Sequence, residues 1–144
     1  MLDLPLSELV PHRPPMLLLD HVLAADDASL VASVTIHAET EFLEAEGVPA
    51  HIGIEYMAQA CAAFAGARAR ADEREPRIGF LLGSRRFLMH RPWYRLGETL
   101  RVTVKLVYQD DAMGSFVGSV EVAGEVAAEA DLTVYEPQAG ETPE

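Results

Sequence analysis

His51, Glu55 and Gln59 recur at four-residue spacing in an otherwise apolar run, His51-Ile52-Gly53-Ile54-Glu55-Tyr56-Met57-Ala58-Gln59-Ala60. On a helix, positions i, i+4 and i+8 share one face, so an imidazole, a carboxyl and an amide stand one turn apart. An imidazole and a carboxylic acid so placed can move protons, one taking a proton from carbon or water and the other giving one to a departing oxygen. Two plainer readings stand beside this one for His51: a helix-internal hydrogen bond that supports Glu55, or a partly exposed helix start. Gln59 is expected to orient Glu55 or a loop backbone.

The following residues, Cys61-Ala62-Ala63-Phe64-Ala65-Gly66-Ala67, continue the segment with small and apolar side chains. A helix apolar nearly all round is expected to be buried. A buried carboxylate needs a partner or must keep its proton, so Glu55 is expected to be a buried acid at a functional site.

The elements that must position this helix follow from patterning. The helix is expected from about Ala50 to Ala71, after Gly47-Val48-Pro49 and before the linker Asp72-Glu73-Arg74-Glu75-Pro76. Upstream, Leu6 to Val10 reads as a short amphipathic turn. The proline turn Pro11 to Pro15 then leads into an apolar strand, Met16 to Leu23. Asp26-Asp27-Ala28-Ser29 supplies turn residues, and Leu30 to Ile36 alternates as the hairpin partner. Downstream, Ile78 to Met89 reads as one long strand bent at Gly83. Arg91 to Glu98 is a connector, and Thr99 to Tyr108, Ser115 to Val122 and Val126 to Tyr135 are strands by alternation. Two strands, one hydrophobic helix and four strands make an α+β pattern. The economical solution is a curved antiparallel sheet wrapped around the helix, with an unpaired edge that invites a second copy. The chain is expected to be one domain, 1–144, with residues 137–144 a flexible tail.

Composition narrows the function classes. A chain of 144 residues with 49% hydrophobic content can bury a core. The formal net charge of −12 argues against nucleic acid and anionic membranes as partners. A single cysteine, Cys61, excludes an internal disulfide or a cysteine-based zinc site. It fits a reducing, cytoplasmic setting. His21, His37 and His90 carry no ligand spacing, and no metal is expected. Arg68, Arg70, Arg74 and Arg77, then Arg85, Arg86, Arg91 and Arg95, could receive an acidic or phosphorylated ligand. They could equally serve as solvated charges at a helix end.

Three blocks of sequence, in order and over nearly the whole chain, carry a family resemblance. The first is Pro11-His12-Arg13-Pro14-Pro15-Met16-Leu17-Leu18-Leu19-Asp20, the second Glu55-x-Met57-Ala58-Gln59. The third is Phe80-Leu81-Leu82-Gly83 with Arg86-Phe87, Arg91-Pro92 and Gly97-Glu98. Together they resemble the hotdog-fold 3-hydroxyacyl-[acyl-carrier-protein] dehydratases of the FabZ type.

The resemblance implies a hotdog dimer, or a higher even-numbered assembly, whose two helices share one continuous sheet. It implies a substrate tunnel at the dimer interface and reversible loss of water from an acyl thioester on a carrier protein's phosphopantetheine arm, with no other cofactor. Glu55 matches the acid that protonates the departing hydroxyl, and Gln59 matches the family's glutamine. Backbone N–H groups at the helix start, around Gly53, would polarise the thioester carbonyl. Phe80, Leu82 and Gly83 match substrate-lining positions, Gly83 also being a natural strand bend.

The family's catalytic His lies in an H-F-P-G stretch before the helix. Here Phe42-Leu43 runs through Glu44-Ala45-Glu46-Gly47-Val48 to Pro49 with no His, so His51 is the nearest base. The string Gly47-Val48-Pro49-Ala50-x-x-Gly53-Ile54-Glu55-Tyr56-Met57-Ala58-Gln59 is similar to an ApeP-type subgroup associated with aryl-polyene gene clusters. That subgroup implies a polyene-like acyl chain and a related dehydratase as partner. An acyl-CoA thioesterase on the same fold, or a non-catalytic subunit of an active dehydratase, are the alternatives.

Overall fold

A computed structural model describes residues 5–10, 13–72, 80–110 and 112–135, with the backbone alone at 80–82. The proline-turn His12, most of the linker after the helix and the 137–144 tail lie outside the described residues. The elements in order are α1 (Leu6–Leu9), β1 (His21–Ala25), β2 (Ser29–Thr35), β3 (Val48–Pro49), a 3-10 turn (Ala50–Ile52), α2 (Gly53–Ala71), β4 (Phe80–Met89), β5 (Trp93–Tyr94), β6 (Thr99–Asp110), β7 (Met113–Val122) and β8 (Glu125–Tyr135).

Six strands form one antiparallel sheet in the order β1-β2-β6-β7-β8-β4. Local chemistry sets its turns. Asp26 Oδ1 accepts the Ala28 and Ser29 N–H groups, each at 2.8 Å, and so closes the β1–β2 hairpin. Ala123 and Gly124, both at positive φ, make the two-residue turn between β7 and β8. Alternation then turns Leu30, Ala32 and Val34 of β2, and Leu100, Val102 and Val104 of β6, onto α2. Ala128 and Ala130 of β8, small and buried, let the helix come close.

The helix packs against one face of the sheet, over β2, β6, β7 and β8, the hotdog arrangement that the resemblance implies. Its buried side carries Tyr56, Met57, Ala60, Cys61, Ala63 and Phe64. Phe64 meets Phe116 of β7 edge to face, with ring centroids 5.5 Å apart. At its far end α1 packs so tightly that a Cβ on Gly66 would collide with the Leu9 backbone.

Three local expectations are corrected. The strand expected from Met16 starts only at His21, because the backbone at Met16 and Leu18 is bonded to a helix side chain instead of a neighbouring strand. The 91–98 connector holds a two-residue strand, β5, paired to β3 through Val48–Tyr94 and Pro49–Trp93. β6 and β7 extend beyond their expected ends into a longer hairpin.

Candidate active site

Pro49 and the β3–β5 ladder fix where α2 begins. Ala50 N–H donates to Pro92 O at 2.9 Å, tying the helix start to the β5 connector. Tyr94, fully buried beneath this junction, donates its hydroxyl to Ala50 O at 3.1 Å. Burial pushes the Tyr94 phenol up to about 12, the Arg91 charge pulling weakly the other way. Gly53 lies directly over that hydroxyl, and its N–H turns back onto Ala50 O. Gly53 therefore serves close packing, and its N–H is already spent within the turn.

Tyr56, next on the helix, stacks at a tilt on Tyr94 with centroids 6.0 Å apart. Its hydroxyl is buried without a hydrogen-bond partner, and desolvation, with the neighbouring Tyr94 and Asp20, raises its pKa.

Gln59 is 2% exposed and fully engaged. Its Oε1 accepts Leu18 N–H at 2.8 Å and its Nε2 donates to Met16 O at 2.7 Å. This realises the loop-backbone role: Gln59 staples the segment before β1 to the helix.

The expected burial of Glu55 is corrected. Both Glu55 and His51 are exposed on this single chain. They head a stripe that continues through Ala58, Ala62 and Ala65, all half-buried. Along this stripe the helix is only partly covered, most openly at its start. A helix apolar nearly all round is expected to be covered on each side, and among the described residues this stripe is the less covered one.

His51 is nonetheless in a concave setting. An open groove of about 490 Å³ at the start of α2 is lined by Pro49, Ala50, His51, Met89, His90, Arg91 and Pro92. Glu55 stands one turn along the helix, ~6 Å of axial rise away.

Two groups on the β4 side of this groove are braced by carboxylates. His90 Nε2 is 2.8 Å from Glu129 Oε2 of β8, whose other oxygen accepts Arg86 at 3.1 Å. Arg91 grips both oxygens of Glu98, at 2.7 and 2.9 Å, and Glu98 also accepts Arg95 N–H at 2.6 Å. Burial alone would raise the Glu98 pKa, but the Arg95 N–H and the Arg91 guanidinium together hold it below the usual carboxylate range.

His90 was unremarkable in the sequence, standing alone without ligand spacing. The strand register supplies the missing signal: Leu88 pairs with Glu129, so His90, two residues on, is its diagonal neighbour.

Gly83, also expected at the substrate site, stands apart from the groove lining. Gly83 is exposed, with nothing within 4 Å of where a Cβ would sit, and β4 shifts register between Leu81 and Gly83. It is the expected bend. Phe80 and Leu82 lie on the same strand, their side chains outside the described residues.

The expected arginine patch is largely committed. Arg68 bonds Asp27 O and lies over the Phe64 ring, Arg70 pairs with Glu8, and Arg86 and Arg91 hold Glu129 and Glu98. Arg74 and Arg77 lie outside the described residues. Among the described residues no cluster of His, Cys, Asp and Glu could hold a metal ion, and no helix is long and apolar enough to cross a membrane.

The ApeP-like family model, described as ApeP dehydratase, matches residues 4–143. A 3-hydroxyacyl-[acyl-carrier-protein] dehydratase FabZ of Anaeromyxobacter dehalogenans is 31% identical over 133 residues, covering 88% of this chain and 85% of that protein. The FabZ of Oceanobacillus iheyensis is 29% identical, covering 88% and 92%. Among solved structures, a chain of the dehydratase heterocomplex ApeI:P from Xenorhabdus doucetiae superposes with a TM-score of 0.88 at 30% identity. That match covers 94% of this chain and 93% of the other. The PaaI protein of the E. coli phenylacetic acid degradation operon, at 14% identity and a TM-score of 0.65, covers 80% and 81% and shares the fold alone.

Proposed function

The chain belongs to the ApeP-like dehydratase family, and we propose that it removes water from a 3-hydroxyacyl thioester carried by an acyl carrier protein, in fatty-acid-like or polyene biosynthesis. The observation that carries this reading is the family match over residues 4–143, which spans the Glu55-x-Met57-Ala58-Gln59 motif. Glu55 is the acid. A base takes the proton from Cα, the electron pair becomes the Cα=Cβ bond, and the hydroxyl leaves Cβ as water with the proton that Glu55 gives it. The sequence offers His51, one turn before Glu55, for the base, and the groove that His51 borders brings a second imidazole, His90, beside it. Gly53 packs the helix start against Tyr94, and Gln59 fastens the segment before β1 to the helix.

The exposed stripe headed by Glu55 supports a shared site. A second subunit laid over Ala58, Ala62 and Ala65 would close the helix and take Glu55 out of water, where its proton transfer is most effective. The absence of a His between Phe42 and Pro49 favours a paralogous dehydratase subunit in that position, and one solved structure similar to this chain belongs to a heterocomplex. Hydrolysis of acyl-CoA is disfavoured: a solved structure described as a thioesterase is only 12% identical and speaks for the fold alone.

The test offers a carrier-bound 3-hydroxyacyl thioester to the chain, alone and with a paralogous dehydratase subunit, and follows enoyl absorbance and free thiol together. Enoyl product without thiol supports dehydration. Thiol release without enoyl product overturns it.

A further inference from the structure

The groove at the start of α2 contains two imidazoles, and only one of them is held in place. The His51 and His90 side chains are both exposed, and among the described residues that of His51 makes no hydrogen bond or ion pair. His90 is gripped through Nε2 by Glu129 Oε2 at 2.8 Å, and Glu129 is itself fixed by Arg86 at 3.1 Å. The backbone at this point is also fixed, His90 N–H donating to Ala127 O at 2.8 Å.

A carboxylate on one ring nitrogen selects the tautomer in which that nitrogen carries the hydrogen. In neutral His90 the Nε2–H then faces Glu129 and the lone pair is on Nδ1. This is the arrangement that a proton acceptor needs: a fixed ring, a defined basic nitrogen, and a carboxylate behind it to stabilise the cation that forms.

We propose that His90, braced by Glu129, is the imidazole of this chain that accepts the substrate's Cα proton. The inference rests on the dehydration proposed above and assigns its base. The balance closes within the site. Nδ1 of His90 takes the proton as the Cα–H bond breaks. The released pair forms the double bond, and the hydroxyl departs from Cβ with the Glu55 proton. The enzyme is left with imidazolium and carboxylate, and solvent returns a proton from one to the other after product release. Arg86 has a positioning role, since it holds the Glu129 oxygen that His90 does not use.

The experiment uses the full chain in whatever assembly gives enoyl product, with His90→Ala, His90→Gln, Glu129→Gln and His51→Ala variants. Folding and assembly are checked by circular dichroism and size-exclusion chromatography. His90→Ala is expected to lose ~100-fold or more in kcat with little change in KM, and added imidazole is expected to restore part of it. Glu129→Gln is expected to lose less and to gain nothing from imidazole, since the ring is still present. Release of the α-deuteron from α-deuterated substrate should fall in parallel with turnover. Two results would overturn the assignment: folded His90→Ala and His90→Gln proteins within threefold of wild type, or a loss on His90→Ala that imidazole does not relieve while His51→Ala loses activity that imidazole does restore. A wild-type assembly that never forms enoyl product would instead defeat the underlying dehydratase reading.

Discussion

The Tyr94 hydroxyl fills the volume that a side chain at Gly53 would need. Tyr94 is fully buried and bonded to Ala50 O, so it cannot swing aside. Gly53→Ala is therefore expected to destabilise the protein by about 1–3 kcal/mol through overpacking. Tyr94→Phe alone should cost about 1 kcal/mol for the lost hydrogen bond. The double variant should cost less than the sum, because Phe removes the atom that the new methyl meets. Urea midpoints for the four proteins check this, and strict additivity would contradict it.

Gln59 supplies both hydrogen bonds that fasten the 16–18 backbone to α2. Gln59→Ala leaves a buried N–H unmet, together with the Met16 carbonyl, and should cost about 2–4 kcal/mol. The effect belongs to stability more than to substrate affinity: KM measured well below the denaturation midpoint should shift little. A Gln59→Ala protein of normal stability with a greatly raised KM would make this residue a substrate contact instead.

Glu98 links stability to pH. Burial opposes its charge, but the Arg95 N–H and Arg91 outweigh it, so the folded pKa lies below the ordinary carboxylate value. A depressed folded pKa adds stability that is fully present above the unfolded value, ~4.3 for Glu. That stability is lost as pH falls through the folded value. Glu98→Gln should cost about 1–2 kcal/mol at neutral pH and converge on wild type in strong acid. Parallel acid-limb unfolding curves for the two proteins would contradict this.

The sequence made the long elements legible because their signals are repetitive. The helix, placed at about Ala50 to Ala71, is found as a 3-10 turn at Ala50–Ile52 and α2 at Gly53–Ala71. Strand β6 keeps the expected alternation, with Leu100, Val102 and Val104 buried between more exposed neighbours, and Leu30, Val120 and Ala128 are likewise buried in β2, β7 and β8. The family motifs also pointed to the right family. What stayed hidden depends on partners distant in sequence. The leucines at 17–19 read as a strand, but the side chain that bonds their backbone is 41 residues away. The β3–β5 ladder is too short to carry a period. Glu55 was misread because all-round apolarity reports that a helix is covered, without saying by which chain. His90 gained a context only from the β4–β8 register.

Glu55→Gln is the most direct measurement of the central claim that this carboxyl group gives the proton to the leaving hydroxyl. Glu55 is exposed on the single chain and its side chain makes no hydrogen bond among the described residues, so the substitution should change the stability of that chain by no more than about 0.5 kcal/mol. Turnover of a carrier-bound 3-hydroxyacyl thioester by the assembled protein should nevertheless fall ~100-fold or more. A folded, assembled Glu55→Gln protein that forms enoyl product at the wild-type rate would contradict it.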